Sequence, residues 1–173
     1  MKNNLFFILT GICIFTHIVR TVYEILKHRK RLVPDKRSFI VVFFNMITLW
    51  VSWFLLCSMD PFRMELPSVI GYLGLMLVVL GVVTFLVAFS TIKSLETYAG
   101  DLITHGIYSR IRHPMYLAFI LWLIGMPVFY GAIFSMALAM IFIANVLFWR
   151  YLEELELISR FRGYKEYRQR TIF

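Results

Sequence analysis

The chain has 173 residues, of which 60% are apolar, 17% aromatic and only 16% charged, and its formal charge is +8. A mean hydropathy of +0.76 excludes an ordinary soluble domain, because apolar runs of about 18 residues or more mark membrane-spanning helices. The basic residues are clustered, so they report on membrane orientation before they report on nucleic acid.

Five spans are predicted in chain order: 5–26, 39–59, 68–89, 115–129 and 131–149. The expected fold is an all-α integral membrane protein. Helices 1–3 (residues 1–89) form an N-terminal part, and residues 90–173 form a catalytic core of loop, helical hairpin and tail. Lys2 ahead of the apolar run from Leu5 to Phe15 imitates a signal peptide. No small-x-small cleavage site follows, and the pattern predicts a retained first helix. The ending Arg170-Thr171-Ile172-Phe173 carries no prenylation box. Cys13 and Cys57 both fall inside spans with no ligand-like spacing, so they are read as inert buried thiols, and no metal site is expected.

Between the first two spans lies Lys27-His28-Arg29-Lys30-Arg31, followed by Lys36 and Arg37. The positive-inside rule places this loop in the cytoplasm. Alternation then predicts an outside N-terminus, a cytoplasmic loop from Ser90 to Arg112, and a cytoplasmic tail from Arg150. The fourth span, with Pro127 near its end, is short for a bilayer core about 30 Å thick, and a hairpin that does not fully cross is an open alternative.

Gly71, Gly74 and Gly81 on the third span favour close helix packing. Asn45 and Asn145 lie inside spans, where an unsatisfied amide is costly, so each is expected to face another helix. His17, Arg20 and Glu24 share one face of the first helix and read most simply as a polar stripe with an Arg20–Glu24 pair.

The stretch from Ser90 to Thr104 holds Lys93, Glu96, Thr97, Tyr98, Gly100 and Asp101, a mixture of donors, acceptors and turn formers. A loop this long in a compact membrane protein is expected to be functional. It leads into Gly106-Ile107-Tyr108-Ser109-Arg110-Ile111-Arg112-His113-Pro114-Met115-Tyr116. Proline suits the first position of a helix and pushes the preceding residue out of the α region, so His113 is predicted at a helix mouth. The free N–H groups of that first turn, beside Arg112 and Tyr116, offer a place for an anionic group. A second polar set follows the fifth span: Arg150, Glu153, Glu154 and Glu156, then a basic, aromatic tail. If spans four and five form a hairpin, His113 and Glu153 approach each other across 40 positions.

The run Gly106-x-Tyr108-x-x-x-Arg112-His113-Pro114-x-Tyr116, an apolar hairpin, and then Glu153-Glu154-x-x-Leu157 with Tyr164-x-x-Tyr167 behind it form one ordered pattern. It resembles the isoprenylcysteine carboxyl methyltransferase and phospholipid methyltransferase family of membrane enzymes. The likeness extends from about Leu95 to Arg170. It implies methyl transfer from S-adenosylmethionine, with S-adenosylhomocysteine as product. There is no G-x-G-x-x-G after a strand, so a soluble dinucleotide-type fold is not available to hold that molecule.

The resemblance carries cofactor binding onto Leu102, Ile103, Tyr108, His113, Tyr116 and one of Glu153 or Glu154. Physical reasoning adds the Arg112 and Pro114 helix mouth for the carboxylate, and Lys93 and Gly100 from the loop leading in. Sulfonium and amino cations suit a glutamate and the faces of Tyr108 and Tyr116. Arg150, within one position of a substrate-binding arginine of the family, is the expected grip on an acceptor carboxylate. The first reading is therefore methylation of the carboxylate of an isoprenylated cysteine, its tail entering from the lipid past Phe148 and Trp149. The runner-up is a phospholipid amine, which must lose a proton to a base such as His105 or Glu154. A non-catalytic scaffold or a transporter subunit is more remote, since transporters place ionisable residues near the midplane and this chain puts nearly all of them at one face. A sterol-reductase-like enzyme using a nicotinamide cofactor is a minor alternative. No nucleic-acid partner is expected.

Overall fold

The computed structural model describes residues 2–92 and 102–173. Six α-helices follow one another: α1 Lys2–His28, α2 Lys36–Met59, α3 Ser68–Thr91, α4 Pro114–Tyr130, α5 Ile133–Arg160 and α6 Tyr164–Arg170, with a 3-10 turn over Gly106–Ser109 before α4. There are no strands among the described residues, only isolated bridges.

α1, α2, α3 and α5 are long and apolar enough to cross a membrane. α4 has 17 residues, a length of about 25 Å at 1.5 Å per residue. That leaves it short of a hydrocarbon core of about 30 Å. The expected all-α membrane fold is present, with four such helices and α4 as the shorter partner of α5. Apolar character stops at Trp149, where the predicted fifth span ends. The helix itself runs on to Arg160, because Glu, Leu and Arg are good helix formers whatever surrounds them.

Small residues bring α3 and α4 together. A Cβ on Gly74 would fall 2.5 Å from the Phe129 backbone nitrogen and 2.7 Å from the Gly125 carbonyl oxygen, and one on Gly125 would fall 2.6 Å from the Gly74 oxygen. Nothing larger than hydrogen fits at this crossing, which is the close approach that stabilises helix pairs in lipid.

α1 joins α2 and α5 through polar contacts. The Asn45 amide donates to the Thr16 carbonyl at 3.1 Å. Asn145 meets His17 Nδ1 at 3.1 Å and accepts from the Thr21 hydroxyl at 3.0 Å. Trp149 donates its indole N–H to Thr21 at 2.9 Å, and the His17 ring stacks on Phe142. Both expected amides therefore face another helix. Cys13 and Cys57 are buried and free.

At the end opposite the basic clusters, Asp60 is 2% exposed and caps α5 from across the bundle. Its carboxylate accepts from the Ser135 N–H at 2.7 Å, the Ser135 hydroxyl at 2.8 Å and the Phe62 N–H at 2.9 Å. The α4–α5 turn closes on Gly131 at φ +62°, a left-handed conformation that glycine takes without strain. With the turn held at this end, the start of α4 and the end of α5 are neighbours at the other.

Candidate functional site

His113 occupies the N-cap position of α4 with φ −125° and ψ 60°, and Pro114 stands at the first helical position. The His-Pro step thus makes the helix mouth its sequence predicts. The imidazole does not cap the helix. Instead, His113 Nε2 lies 3.3 Å from Glu154 Oε1 and 3.4 Å from the Tyr164 hydroxyl. His113 is 4% exposed. Burial pushes its pKa below the ordinary histidine value, although Glu153 and Glu154 pull the other way. The imidazole is therefore neutral at neutral pH, and a neutral Nε2–H donates to Glu154.

Arg112 is engaged away from the helix mouth. Its Nε meets Glu154 Oε1 at 3.1 Å, and its Nη1 donates to the carbonyls of Arg168 at 3.0 Å and Thr171 at 2.6 Å. The backbone continues this clasp: Arg112 N–H bonds the Ile172 carbonyl at 3.1 Å, and Ile172 N–H bonds the Arg110 carbonyl at 2.8 Å. All this bonding goes to the C-terminal segment and to Glu154.

The two adjacent glutamates differ for a geometric reason. Successive helical residues point about 100° apart, so α5 turns Glu154 toward Arg112 and His113 and turns Glu153 toward α4. Glu154 is 6% exposed and held by Arg112 and His113, with Arg168 at 3.9 Å. Glu153 is half-buried, with the Tyr116 phenol among the groups that influence its carboxylate. Among the described residues, no cationic side chain lies within 4 Å of it.

Tyr116 is 6% exposed and its ring sits 5.7 Å from that of His113. Tyr108, half-buried on the 3-10 turn, offers its carbonyl to the Tyr167 hydroxyl at 2.5 Å. Burial, with Glu153 nearby, raises the Tyr108 phenol, so it stays protonated. Arg150 is half-buried with its guanidinium 4.5 Å above the Phe173 ring. Among the described residues it makes no ion pair. Leu102 and Ile103 are half-buried ahead of the turn. Lys93 and Gly100 lie outside the described residues, as do Glu96, Thr97, Tyr98 and Asp101.

The structure therefore brings His113, Tyr116 and Glu154 together where the start of α4 meets the end of α5, with Glu153 beside Glu154 and Arg150 one turn earlier on the same helix. An unpaired carboxylate beside aromatic faces and a neutral imidazole is suited to a cation. No group of three or more potential metal ligands occurs among the described residues.

The sequence pattern does not reveal several of the contacts made here. The Tyr164 phenol is fully buried against His113, and Thr171 and Ile172 close over Arg112. From α1, Lys27 reaches Glu156 at 3.4 Å and Glu24 at 3.3 Å, while Arg20 holds Glu24 at 2.5 Å. The Arg20–Glu24 pair is the one expected from the His17, Arg20 and Glu24 stripe, whereas the reach of Lys27 to Glu156 has no signal in the sequence.

A family model described as phospholipid methyltransferase matches residues 69–163, more than half of the chain. No curated protein and no solved structure matches.

Proposed function

The chain belongs to the phospholipid methyltransferase family and is a membrane methyltransferase, and from that premise we propose that it takes its methyl group from S-adenosylmethionine and gives it to an amphiphile from the bilayer. The observation that carries the reading is Glu153: a half-buried carboxylate with no cation within 4 Å among the described residues. Leaving a buried carboxylate without a cationic neighbour in contact is costly. A sulfonium or ammonium group placed there supplies the missing charge. S-adenosylmethionine, when bound, supplies a methyl group activated by its sulfonium charge.

The chain's own residues divide the remaining work. Glu153 and Tyr116 face the cation, with the Tyr108 ring at the margin. The uncapped N-terminus of α4 suits the carboxylate of the same molecule. Glu154, clasped by Arg112 and His113, fixes the start of α4 against the end of α5. This assignment chooses Glu153 over Glu154 as the cofactor contact. Arg150 holds the anionic group of the acceptor, since its guanidinium rests on a ring and makes no ion pair among the described residues.

For the acceptor, Arg150 favours the carboxylate of an isoprenylated cysteine. Such a carboxylate is already ionised at neutral pH, so alignment and exclusion of water are the main requirements. The description of the matching family favours a second reading, the amine of a phospholipid, whose phosphodiester Arg150 would grip instead. The proposed active site then faces the cytoplasm, by the basic clusters at that end of the bundle.

Purified protein in lipid nanodiscs with methyl-labelled S-adenosylmethionine decides between them. An S-prenylated cysteine gives a base-labile labelled ester under the first reading. Phosphatidylethanolamine gives a base-stable labelled amine under the second. Arg150→Ala abolishes transfer to the working acceptor while cofactor binding survives. Label on neither acceptor, with no cofactor bound, overturns the proposal.

A further inference from the structure

The matching family segment begins at residue 69, so α1 lies outside it, yet α1 brings a buried charged face to the same end of the bundle. Glu24 is 1% exposed and Lys27 8% exposed. Arg20 bonds Glu24 at 2.5 Å, Lys27 bonds Glu24 at 3.3 Å, and Lys27 crosses to Glu156 of α5 at 3.4 Å. The Arg20 guanidinium also lies 5.7 Å over the ring of Trp149, one helical turn before Glu153. This ladder runs along the seam between α1 and α5 on the side of α5 that carries Glu153.

We propose that α1 is part of the site, with Lys27 and Arg20 acting as positioning residues that keep the Glu153 carboxylate charged and turned toward Tyr116. The inference rests on the methyltransferase reading for the purpose of that carboxylate, and on the described geometry for the means.

The effect is electrostatic and steric together. A carboxylate drawn out of water reverts to its neutral acid unless positive charge stands nearby. Glu153 has no cation in contact among the described residues, so its charge depends on cations one layer away. From α1 these are Lys27 and Arg20, and from the mouth of α4 the group is His113. His113 is neutral at neutral pH and supplies no full charge. The other charges near it are Glu24 on α1, and Arg150, Glu154 and Glu156 on α5 itself. Arg20 and Lys27 hold Glu24 between them, Lys27 also pairs with Glu156, and Arg112 pairs with Glu154, so removing either α1 cation lowers the positive charge that faces Glu153. Tyr108 and Tyr164 also face this region and stay protonated phenols. Lys27 bonds Glu24 and Glu156 and makes no ion pair with Glu153 among the described residues. The carboxylate thus remains open to an incoming cation while its charge is maintained.

The test reads Glu153 itself. The full chain in nanodiscs is titrated by infrared spectroscopy, and the protonated-carboxyl band of Glu153 is identified as the component lost in Glu153→Gln. Lys27→Met is expected to raise the titration midpoint by about one pH unit, a tenfold change in the ionisation constant. Lys27→Arg is expected to restore it, because a structural filler role would not distinguish methionine from arginine in this way. Arg20→Met gives an independent second reading in the same direction. In parallel, the acid limb of S-adenosylmethionine binding moves to higher pH in Lys27→Met. A midpoint that is unchanged in both Lys27→Met and Arg20→Met overturns the proposal. Absence of cofactor binding by the wild type overturns the functional reading instead, and the infrared result still judges the role of α1.

Discussion

Replacing Glu153 and Glu154 one at a time by glutamine separates two roles that neighbouring identical residues conceal. Glu153→Gln keeps the size and the hydrogen-bonding capacity toward Tyr116 but removes the charge. A hydrogen-bonded contact to a charged group contributes about 1.5–3 kcal/mol, and taking about 2 kcal/mol for the contact with a cofactor cation gives about a 30-fold weaker Kd. The same change leaves the fold intact, since no ion pair of Glu153 is lost among the described residues. Glu154→Gln breaks the charge-assisted bond to Arg112 at 3.1 Å and the contact to His113 at 3.3 Å. It leaves the guanidinium with only neutral partners, the Arg168 and Thr171 carbonyls and the Thr171 hydroxyl, a loss of about 1–3 kcal/mol in stability. Its expected signature is a lower thermal midpoint, with cofactor affinity per folded molecule changed by about threefold or less, equivalent to about 0.7 kcal/mol. Isothermal calorimetry with S-adenosylmethionine, paired with thermal unfolding in the same nanodiscs, reads both. The reverse pattern, in which Glu154→Gln weakens binding and Glu153→Gln weakens the fold, refutes the assignment.

Other outcomes follow from the same geometry. Gly74→Ala puts a Cβ against backbone atoms at 2.5 and 2.7 Å, which no side-chain rotation relieves, and costs about 1–3 kcal/mol, measured by denaturant unfolding in detergent. Asp60→Ala removes the cap of α5 and two further bonds, lowering stability by about 3 kcal/mol in the same assay without changing cofactor affinity in the molecules that remain folded. His113 is held neutral by burial. Its folded-state pKa lies below its unfolded value of about 6.5, so its contribution to stability is complete above that pH and is lost as pH falls toward the folded-state value. His113→Gln, which cannot be protonated, flattens that part of the acid unfolding profile. An unchanged slope between about pH 6.5 and 5 contradicts the neutral assignment.

Local chemistry makes much of this legible in the sequence. The His113-Pro114 step reads as a helix start because proline restricts both its own φ and its neighbour's conformation, and α4 begins there. Gly74 and Gly81 read as packing residues, and both are buried on α3. Asn45 and Asn145 read as interhelical because lipid offers no partner for an amide, and each bonds across to α1.

What stays hidden depends on rotation and on contacts between distant residues. Hydropathy locates the end of the apolar part of α5 at Trp149 but carries no information about where the helix stops. The difference between Glu153 and Glu154 is an angle about the helix axis relative to α4, and adjacent identical residues give no pattern from which to read it. Arg112 reads as available because its partners, the carbonyls of Arg168 and Thr171, are backbone groups that any sequence possesses. Lys27 reads as one of the loop charges that set orientation and Glu156 as part of the polar set after the fifth span, and only the folded seam between α1 and α5 brings them to 3.4 Å.

Whether methyl transfer from S-adenosylmethionine takes place between the mouth of α4 and the end of α5 is tested most directly by photo-crosslinking. The wild-type protein in nanodiscs is irradiated with methyl-labelled S-adenosylmethionine and digested, and the labelled peptides are identified by mass spectrometry. Label is expected in the peptides containing Tyr108 to Tyr116 and Trp149 to Glu154, abolished by excess S-adenosylhomocysteine. Label confined to the opposite end of the bundle, or label that S-adenosylhomocysteine does not displace, contradicts a site at that end of the hairpin.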